Sequence, residues 1–565
     1  MDVREREKNI AMHLKTIQKF MVASLADTYG MCAAARLIVE KENAILPEVI
    51  ERINRAARWF ELPHPTISGR FLDGEQDFQA QVLIRLIYEC ENILPEETKK
   101  LIYKFFTENE LESKYKSENH MLMFHSNRYL FALRYPSCFF NQYGLSAKEV
   151  LEIDREFIRK FIEFRAQRGW AEFDSLGYAP EVFNVLLSLY DYGEEKMSHY
   201  AGMAANVILL DMLMDSSRTE GLYGGAHGRV YDDSVEDLKT VGMYKLYQYY
   251  FGDEECEGYF EPVISNFLPA DYVYDVFNNR PECWENRECK HLHSITCPVP
   301  HKQVPQVPGS INKQTYVTPD YILGGVTWQD KYPKDSEAAW YAHHQQHEWE
   351  LTILPDSRLR IFSHHPGLPT SGPTGHEHGY WTGDLGCCCG QFFNEKNVAM
   401  AMYDIPEREA DFIHVRVPFE HIESAEQEGN CLWIKAQRVY VMLWLSEGIC
   451  KGGKGFENVE IRSYGRKHGV VCMVASQKDF EGMGAFKKAA QAGHPTFDKE
   501  SMRLVYENIE MTPDERVVGG IKMVFPYETY DSPCVFSKHG SGVIETRLAV
   551  LDFIGWGKII YNNLV

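Results

Sequence analysis

The first group of residues that could do chemistry lies in one predicted helix, in the segment SENHMLMFHSNRYLFALRYP. Six polar side chains fall there within about three helical turns: Glu118, Asn119, His120, His125, Asn127 and Arg128. An Asn amide beside an imidazole can bind a ligand carboxylate, while the imidazole takes or gives a proton near neutral pH. The same residues could instead form a polar network that ties two helices together, and the sequence leaves both interpretations open.

A second group lies in the segment RGWAEFDSLGYAPEVF, a Gly-punctuated loop before an amphipathic helix. It contains Glu172, Asp174 and Tyr178. Loops mounted on helix ends often carry functional residues, and a Tyr can act as a general acid or base where neighbouring cations lower its pKa. Alternatively, the Tyr178 ring only caps the helix.

A third group follows a flexible turn in the segment GLYGGAHGRVYDD. It contains His227, Arg229 and Tyr231. The Arg229 guanidinium is suited to two-point binding of a carboxylate, and its charge could stabilise an enolate. A phosphate-binding loop is excluded, because the spacing matches neither GxGxxG nor the P-loop.

Histidines are dense in the second half of the chain, in HHQQHEW from His343, HHPG from His364 and GHEHGYWTGD. Imidazoles at this density could hold a structural ion, Zn²⁺ or Ca²⁺. The candidate ligands are His376, His378 and Asp384. Because no HExxH motif occurs, a metal is expected to be structural or absent, and no cofactor is expected to be required. The CCCG run at Cys387 is expected to contain buried thiols.

Helices are predicted to position the first three groups. Up to about Tyr250, apolar residues recur at spacings of three and four between short breaks, which predicts consecutive helices. Many helices without alternating strands or a fixed repeat favour a closed ring of helical hairpins over a solenoid. We therefore expect an (α/α) toroid over residues 1–290 that carries the chemistry.

The sequence changes character over residues 275–308, which are rich in Pro, Cys, His and Asn. Beyond them Ile413, Val415 and Val417 alternate with other residues, as in a half-buried strand. Short apolar runs bounded by turn residues continue to the end. We predict a linker at 291–312 and an antiparallel β-sandwich over 313–565, so that the chain is a multidomain protein with an α and a β part.

Charge and composition limit the partners. The net charge of -22, without a dense basic run, argues against nucleic acid. The first residues lack a long apolar stretch, and the most apolar helical segment, 207–214, is short and contains Asp211, so neither export nor a membrane span is expected. The 14 Cys residues are then expected to be reduced thiols in a cytoplasmic protein. Formation of a homo-oligomer stays open.

A helical ring followed by a β-sandwich, with an Asn-His pair and later a Tyr-bearing loop, resembles the heparinase II/III-like and alginate lyase polysaccharide lyases. The specific part of the resemblance is Asn119-His120 and the loop from Glu172 to Tyr178. In such lyases a uronate carboxylate is neutralised, the C5 proton is abstracted and the C4 oxygen leaves by β-elimination. No cofactor is implied, and the substrate would be a uronic-acid-containing oligo- or polysaccharide.

The resemblance implies a role for each residue. Asn119 would neutralise the carboxylate, His120 would be the base or its orienting partner, and Tyr178 would be the catalytic acid or base. Arg229 and Tyr231 would line the same cleft as further catalytic residues. The family often adds a residue from its β part, for which Tyr380 or His378 is the candidate. The expected substrate-binding residues are Glu118, Glu172, Asp174, His227, His378 and Tyr380.

Two other functions stay open. A glycoside hydrolase on the same ring needs a pair of carboxylates, and Glu118, Glu172 and Asp174 could supply that pair. A non-catalytic glycan-binding protein could keep the fold without turnover. Absorbance of the product separates a lyase from a hydrolase, because elimination creates a conjugated unsaturated uronate.

Overall fold

The structure of the chain is a computed structural model that describes most of its residues. The described ranges are 30–61, 66–67, 70–71, 76–109, 111, 117–252, 254, 260–291, 310–328, 346–366, 380–381 and 389–562. Several residues named above lie outside these ranges: His343, His376, His378, Asp384 and Cys387. The predicted metal ligands, and His378 as a substrate contact, therefore fall outside the described residues.

Helices dominate the first half of the chain, so the prediction of a helical first half is confirmed. The α-helices are α1 Met31–Glu40, α2 Pro47–Ala57, α3 Gln76–Glu89, α4 Glu96–Glu108, α5 Glu118–Arg134, α6 Ala147–Arg168, α7 Tyr178–Tyr192, α8 Glu195–Asp215, α9 Gly242–Tyr250, α10 Phe260–Ile264, α11 Asp271–Asn279 and, among later strands, α12 Met483–Ala492. Short 3-10 helices span Lys41–Ala44, Trp59–Glu61, Asp232–Val235, Leu238–Thr240, Phe419–His421 and Gln477–Asp479. Among the described residues, no helix is both long enough and apolar enough to cross a membrane.

Helix α6 illustrates how the sequence sets these boundaries. The Glu149 N–H donates to Ser146 Oγ (3.4 Å) and the Ser146 N–H donates to the Glu149 carboxylate (2.8 Å), which makes a capping box. The helix stops before Gly169, whose φ of 69° favours glycine. Its apolar stripe, with Phe157 and Phe161, is buried. Neighbouring helices pack together, α5 against α3, α6 and α7, and α7 against α8.

Strands predominate over helices among the described residues of the second half, and a few short strands occur earlier. In chain order they are β1 Thr66–Ile67, β2 Arg70–Phe71, β3 Phe139–Phe140, β4 Leu145–Ser146, β5 His227–Gly228, β6 Trp284–His291, β7 Ser310–Val317, β8 Tyr321–Trp328, β9 Gln346–His347, β10 Trp349–Ile353, β11 Arg360–His364, β12 Gly390–Glu395, β13 Val398–Asp404, β14 Phe412–Arg416, β15 Ser424–Glu428, β16 Cys431–Ala436, β17 Val439–Leu445, β18 Cys450–Lys451, β19 Glu460–Tyr464, β20 Lys467–Ser476, β21 Thr496–Asp498, β22 Arg503–Tyr506, β23 Ile509–Met511, β24 Arg516–Val518, β25 Ile521–Lys522, β26 Tyr530–Asp531, β27 Val535–Ser537, β28 Val543–Thr546, β29 Ala549–Asp552 and β30 Lys558–Tyr561.

Within the described residues, 13 strands form one large sheet in the order β18-β19-β14-β11-β10-β8-β7-β6-β26-β27-β28-β29-β30. A 6-stranded sheet has the order β12-β13-β20-β17-β16-β15, and β21 to β25 form a smaller one. Neighbouring strands run antiparallel, which confirms that part of the fold prediction. The strand β6 lies almost wholly inside the range 1–290 and pairs with β7. The proposed domain boundaries stay a prediction.

The central strands of the large sheet are buried on both faces. On one face Leu323, Leu351 and Val415 pack against the 6-stranded sheet. On the other face Val317 and Ile322 join the apolar core of the helices. The strand β14 is therefore buried along its whole length rather than on one side, as its alternating pattern had suggested. The candidate functional residues lie where the helices meet this sheet.

Candidate functional site

The first two sequence motifs meet at the start of α5. The Glu172 N–H donates a hydrogen bond to Glu118 Oε2 (3.0 Å), and the Asn119 N–H donates one to Glu172 Oε2 (3.3 Å). The Glu118 carboxylate also forms an ion pair with Arg165 of α6. Because all four residues are buried, these charge-assisted bonds fix the loop against the helix.

The Gly-rich turn closes on the same loop. Arg229 Nε lies 3.7 Å from Glu172 Oε1, and His227 Nδ1 lies 2.9 Å from the Asp174 carbonyl oxygen. Burial lowers the pKa of His227 to about 4, so that its imidazole is neutral and donates one hydrogen bond to this carbonyl. The second and third motifs are thus joined through both side chains and backbone.

The turn also lies close against the large sheet. A Cβ at Gly324 of β8 would lie only 2.8 Å from the Gly225 Cα, so glycine permits this approach of two backbones. Further along the turn, Val230 packs in one apolar cluster with Tyr380 and Trp381. The large sheet therefore contacts the turn at Gly225, and Tyr380 and Trp381 contact it at Val230.

Tyr178 and Tyr231 are the most accessible of the described residues that were predicted for the site. The rings of Tyr178 and Tyr231 meet edge to face, with 5.8 Å between their centroids. The Tyr178 N–H donates to Ser175 Oγ (3.0 Å), and this hydroxyl donates to the Arg229 carbonyl (3.4 Å). Tyr178 is the first residue of α7. Both rings are half-buried, whereas the other described residues predicted for the site are buried.

His120 is held by a residue that the sequence analysis missed. Its Nδ1 lies 2.5 Å from Asp77 Oδ2 in α3, and the Phe78 ring meets the imidazole edge at 5.6 Å. An aspartate at Nδ1 fixes the orientation of the imidazole and its tautomer. The available signal was the polar run QDFQAQ, which is buried in α3.

The remaining polar residues of α5 form a structural network. His125 Nδ1 (2.6 Å) and the Arg128 guanidinium (2.6 and 2.8 Å) bind Asp154 of α6. Asn127 Nδ2 donates to the Asp77 carbonyl (3.2 Å). Burial by itself would raise the pKa of Asp154, but Arg128 and His125 hold it below its ordinary value. The interpretation as a network between helices describes this part of the motif.

The carboxyl of Glu172 lies among buried charged groups that change its pKa. Burial raises the pKa of its carboxyl to about 7; Arg229 opposes that rise and Glu118 adds to it. A carboxyl that titrates near neutrality can both give and take a proton.

Asp174 lies in a buried cluster of opposite charges. Lys290 Nζ lies 2.7 Å from Asp174 Oδ1, and Lys313 Nζ contacts Oδ2. Lys290 also binds Asp211 (2.7 Å), and Lys313 also binds Asp215. Burial by itself would raise the pKa of the Asp174 carboxyl, but the two lysines hold it well below its ordinary value. Burial raises the pKa of the Asp211 carboxyl well above its ordinary value. Neither lysine was predicted from the sequence, because both lie on strands that are distant from Asp174 along the chain.

A small cavity lies among these groups. Four predicted residues line it: Glu118, Glu172, Asp174 and Tyr178. The other lining residues include the rings of Trp170 and Tyr223 and the carboxylate of Asp211, and the rest are Ala179, Val182, Ile208 and Met243. Asp211 was visible in the sequence only as a break in an apolar helix. The cavity thus joins acidic groups to aromatic surface.

Of the two substrate-binding residues predicted in the β part, Tyr380 lies within the described residues. Its hydroxyl donates to Glu460 and accepts a hydrogen bond from Arg462 Nη2 (2.8 Å). The residue is buried, and burial raises its pKa well above the ordinary value. It reaches the Gly-rich turn through the shared cluster with Val230. A contact between Tyr380 and a substrate stays a prediction.

Two groups of described residues hold atoms close enough to ligate a metal: Cys289 with His291 and His539, and Asp174 with Asp211, Asp215 and Glu288. In the carboxylate group, Lys290 and Lys313 supply the positive charge that a cation would bring. In the other group, Arg168 Nη1 lies 3.4 Å from His291 Nε2 and 3.0 Å from His539 Nε2, and its charge opposes a cation. A structural Zn²⁺ or Ca²⁺ ion in the β part stays a prediction.

Comparison with known proteins adds no relative. A scan against protein-family models gives no match, and a search of curated proteins gives no match.

Proposed function

We propose that this chain is a lyase that cleaves uronic-acid-containing oligo- or polysaccharides by β-elimination. With it we propose an (α/α) toroid joined to an antiparallel β-sandwich. The packing of successive helices and the apolar core shared by the two larger sheets support that architecture.

The observation that carries the proposal is the pair of half-buried tyrosines, one of which lies two residues after the buried Arg229. Tyr178 and Tyr231 meet at 5.8 Å, and Arg229, whose carbonyl is bonded to the Tyr178 loop, places its guanidinium against Glu172. Elimination from a uronate needs a base for the C5 proton and an acid for the C4 oxygen. A Tyr hydroxyl near an Arg can serve in either role, and no nucleophile or activated water is required.

The buried neighbours suit the remaining roles. Asn119 Oδ1 accepts a hydrogen bond from Ser117 Oγ (2.6 Å), while its amide nitrogen is buried without a hydrogen-bond partner among the described residues. A donor in that state is suited to a uronate carboxylate. His120, oriented by Asp77, would then exchange the proton through Nε2, or orient the tyrosine that does so. Arg229 would stabilise the enolate-like charge at the carboxylate.

The test is incubation with glucuronan, alginate and glycosaminoglycan oligosaccharides, with ultraviolet absorbance and reducing ends followed together. Elimination predicts that both signals rise in step. Reducing ends without the absorbance would replace the lyase by a hydrolase. Binding of these oligosaccharides, by calorimetry, without either signal would point to the non-catalytic protein and against turnover.

A glycoside hydrolase remains the second candidate because of one observation. Glu118 and Glu172 both line the cavity, and Glu172 has a pKa raised to about 7, as a general acid requires. Against this, Glu118 binds Arg165 and the Glu172 N–H, and Glu172 binds the Asn119 N–H. Carboxylates engaged in this way are better placed to shape a site than to attack a sugar.

A further inference from the structure

We infer that Lys290 and Lys313 of the large sheet are positioning residues: they hold Asp174, and through it the loop that carries Glu172 and Tyr178. The effect on turnover rests on the proposed function. The effect on the loop does not, and it can be measured without any substrate. Asp174 would then act by fixing the loop rather than by touching the substrate.

The two lysines lie on neighbouring strands with their side chains on the same face. Lys313 of β7 is paired in register with Glu288 of β6, and Lys290 follows two residues later on that strand. Both lysines are fully buried, so each ammonium must be satisfied by protein groups. Lys290 Nζ lies 2.7 Å from carboxylate oxygens of Asp174, Asp211 and Glu288.

Both oxygens of Asp174 are engaged, one by each lysine. This residue has a φ of 47°, in the left-handed region that few L-residues other than Asn and Asp adopt. The carbonyl is fixed as well, by the hydrogen bond from His227 Nδ1 (2.9 Å). The lysines and His227 together therefore hold the backbone at Asp174, two residues after Glu172 and four before Tyr178.

The same strand also fixes the start of the loop. A Cβ at Gly169 would lie 3.1 Å from the Lys290 Cγ, so the end of α6 rests directly on β6. Arg165 Nη1 donates to the Gly169 carbonyl (3.2 Å) and to the His291 carbonyl (3.3 Å). The sheet thus touches the loop at its first residue and again at Asp174, and the residues between them include Glu172.

A purely structural role for the cluster is the competing explanation, and the chain offers a matched control. Asp215 binds Lys313 in the same cluster, but it lies on α8 and not on the loop. Asp174→Asn and Asp215→Asn each remove one carboxylate from the lysines. Asn tolerates the left-handed conformation, so the first variant changes the charge without demanding a new backbone.

The experiment is hydrogen–deuterium exchange of the intact chain, read in peptides that cover residues 170–178, together with urea unfolding. We expect Asp174→Asn to speed exchange in these peptides by about tenfold or more, and Asp215→Asn to leave them unchanged. Lys313→Met should resemble Asp174→Asn, with Lys313→Arg restoring part of the protection. Equal effects of the two Asn variants, or wild-type exchange in Asp174→Asn, would overturn the inference.

Turnover supplies the second readout. If the lyase assay succeeds, Asp174→Asn should lower kcat by about 10²-fold with little change in KM, because a loop displaced by about 1 Å misplaces the reacting groups. Wild-type kcat in this variant would refute the positioning role. If wild-type protein turns over no uronate, the proposed function fails, and the exchange data still decide whether the lysines hold the loop.

Discussion

The backbone N–H of Glu172 donates a hydrogen bond to the Glu118 side chain at 3.0 Å, although 54 residues separate the two in sequence. The other carboxylate oxygen of Glu118 binds Arg165. One buried side chain thereby joins the start of α5, the end of α6 and the loop that follows it. Loss of this carboxylate should therefore affect both the stability of the chain and the site.

Glu118→Gln should destabilise the chain by about 3–5 kcal/mol, because it leaves the buried Arg165 charge without its partner. Urea unfolding measures this change. The control is Glu96→Gln, which removes an exposed ion pair with Lys99 and should give no measurable change. Equal stabilities of Glu118→Gln and wild type would show that the buried pair contributes nothing.

Tyr178→Phe should lower kcat by about 10²–10⁴-fold, the range expected for loss of a general acid or base. The melting temperature should stay the same, since the ring still packs against Tyr231. Tyr190→Phe is the matched control, because Tyr190 also lies in α7 but packs against Phe267 away from the site. Near wild-type turnover of Tyr178→Phe would remove the hydroxyl from the mechanism.

Local sequence patterns predicted the helices and strands of this fold better than they predicted how these helices and strands pack together. The spacing of apolar residues in the first half and the alternation around Ile413 gave helices and antiparallel strands. The alternation did not reveal that His414 and Arg416 are buried too, because the rings that cover His414, those of Tyr380 and Trp381, are distant in sequence. A pattern within one strand reports its side-chain period but not what covers each face.

The site followed the same rule. Motifs that are local in sequence, such as Asn119-His120, were found from spacing and residue type, and the structure brings them together with the loop of Glu172. Asp77, Lys290 and Lys313 were missed because each belongs to an ordinary-looking helix or strand and acquires its meaning only from a distant partner. Partners of that kind are fixed by topology, which a single sequence does not display.

Glu172→Gln should remove a pH-dependent part of the stability. The pKa of Glu172 is raised from 4.5 to about 7 in the folded chain, so the folded state binds the proton more tightly than the unfolded state does. This contribution is fully present below pH 4.5 and is lost as the pH rises through about 7. The difference in unfolding free energy between wild type and Glu172→Gln, measured across that window, should therefore fall with pH. A difference that stays flat or rises would contradict the raised pKa.

Asp77→Asn should lower kcat by about 10²–10⁴-fold, because the imidazole of His120 loses the carboxylate that fixes its tautomer. The pH profile of kcat should shift as well, which a merely structural change would not cause. Asp356→Asn is the control, since Asp356 is paired with His421 (3.5 Å) at the surface of the β part. An unshifted profile in Asp77→Asn would mean that His120 does not exchange the proton.

Gly324→Ala tests whether the sheet and the Gly-rich turn must touch. The new methyl group would meet the Gly225 Cα at 2.8 Å and the Ala226 nitrogen at 3.1 Å, and neither backbone atom can rotate away. We expect a loss of about 1–3 kcal/mol in stability from overpacking, together with reduced turnover, because the displaced turn carries Arg229. Gly484→Ala is the control: it lies in α12 with open space around its Cβ, and Ala should stabilise that helix by about 0.5–1 kcal/mol. If Gly324→Ala lost stability but kept full turnover, the position of Arg229 would not depend on this contact, and the turn would have to be fixed by the loop of Glu172 alone.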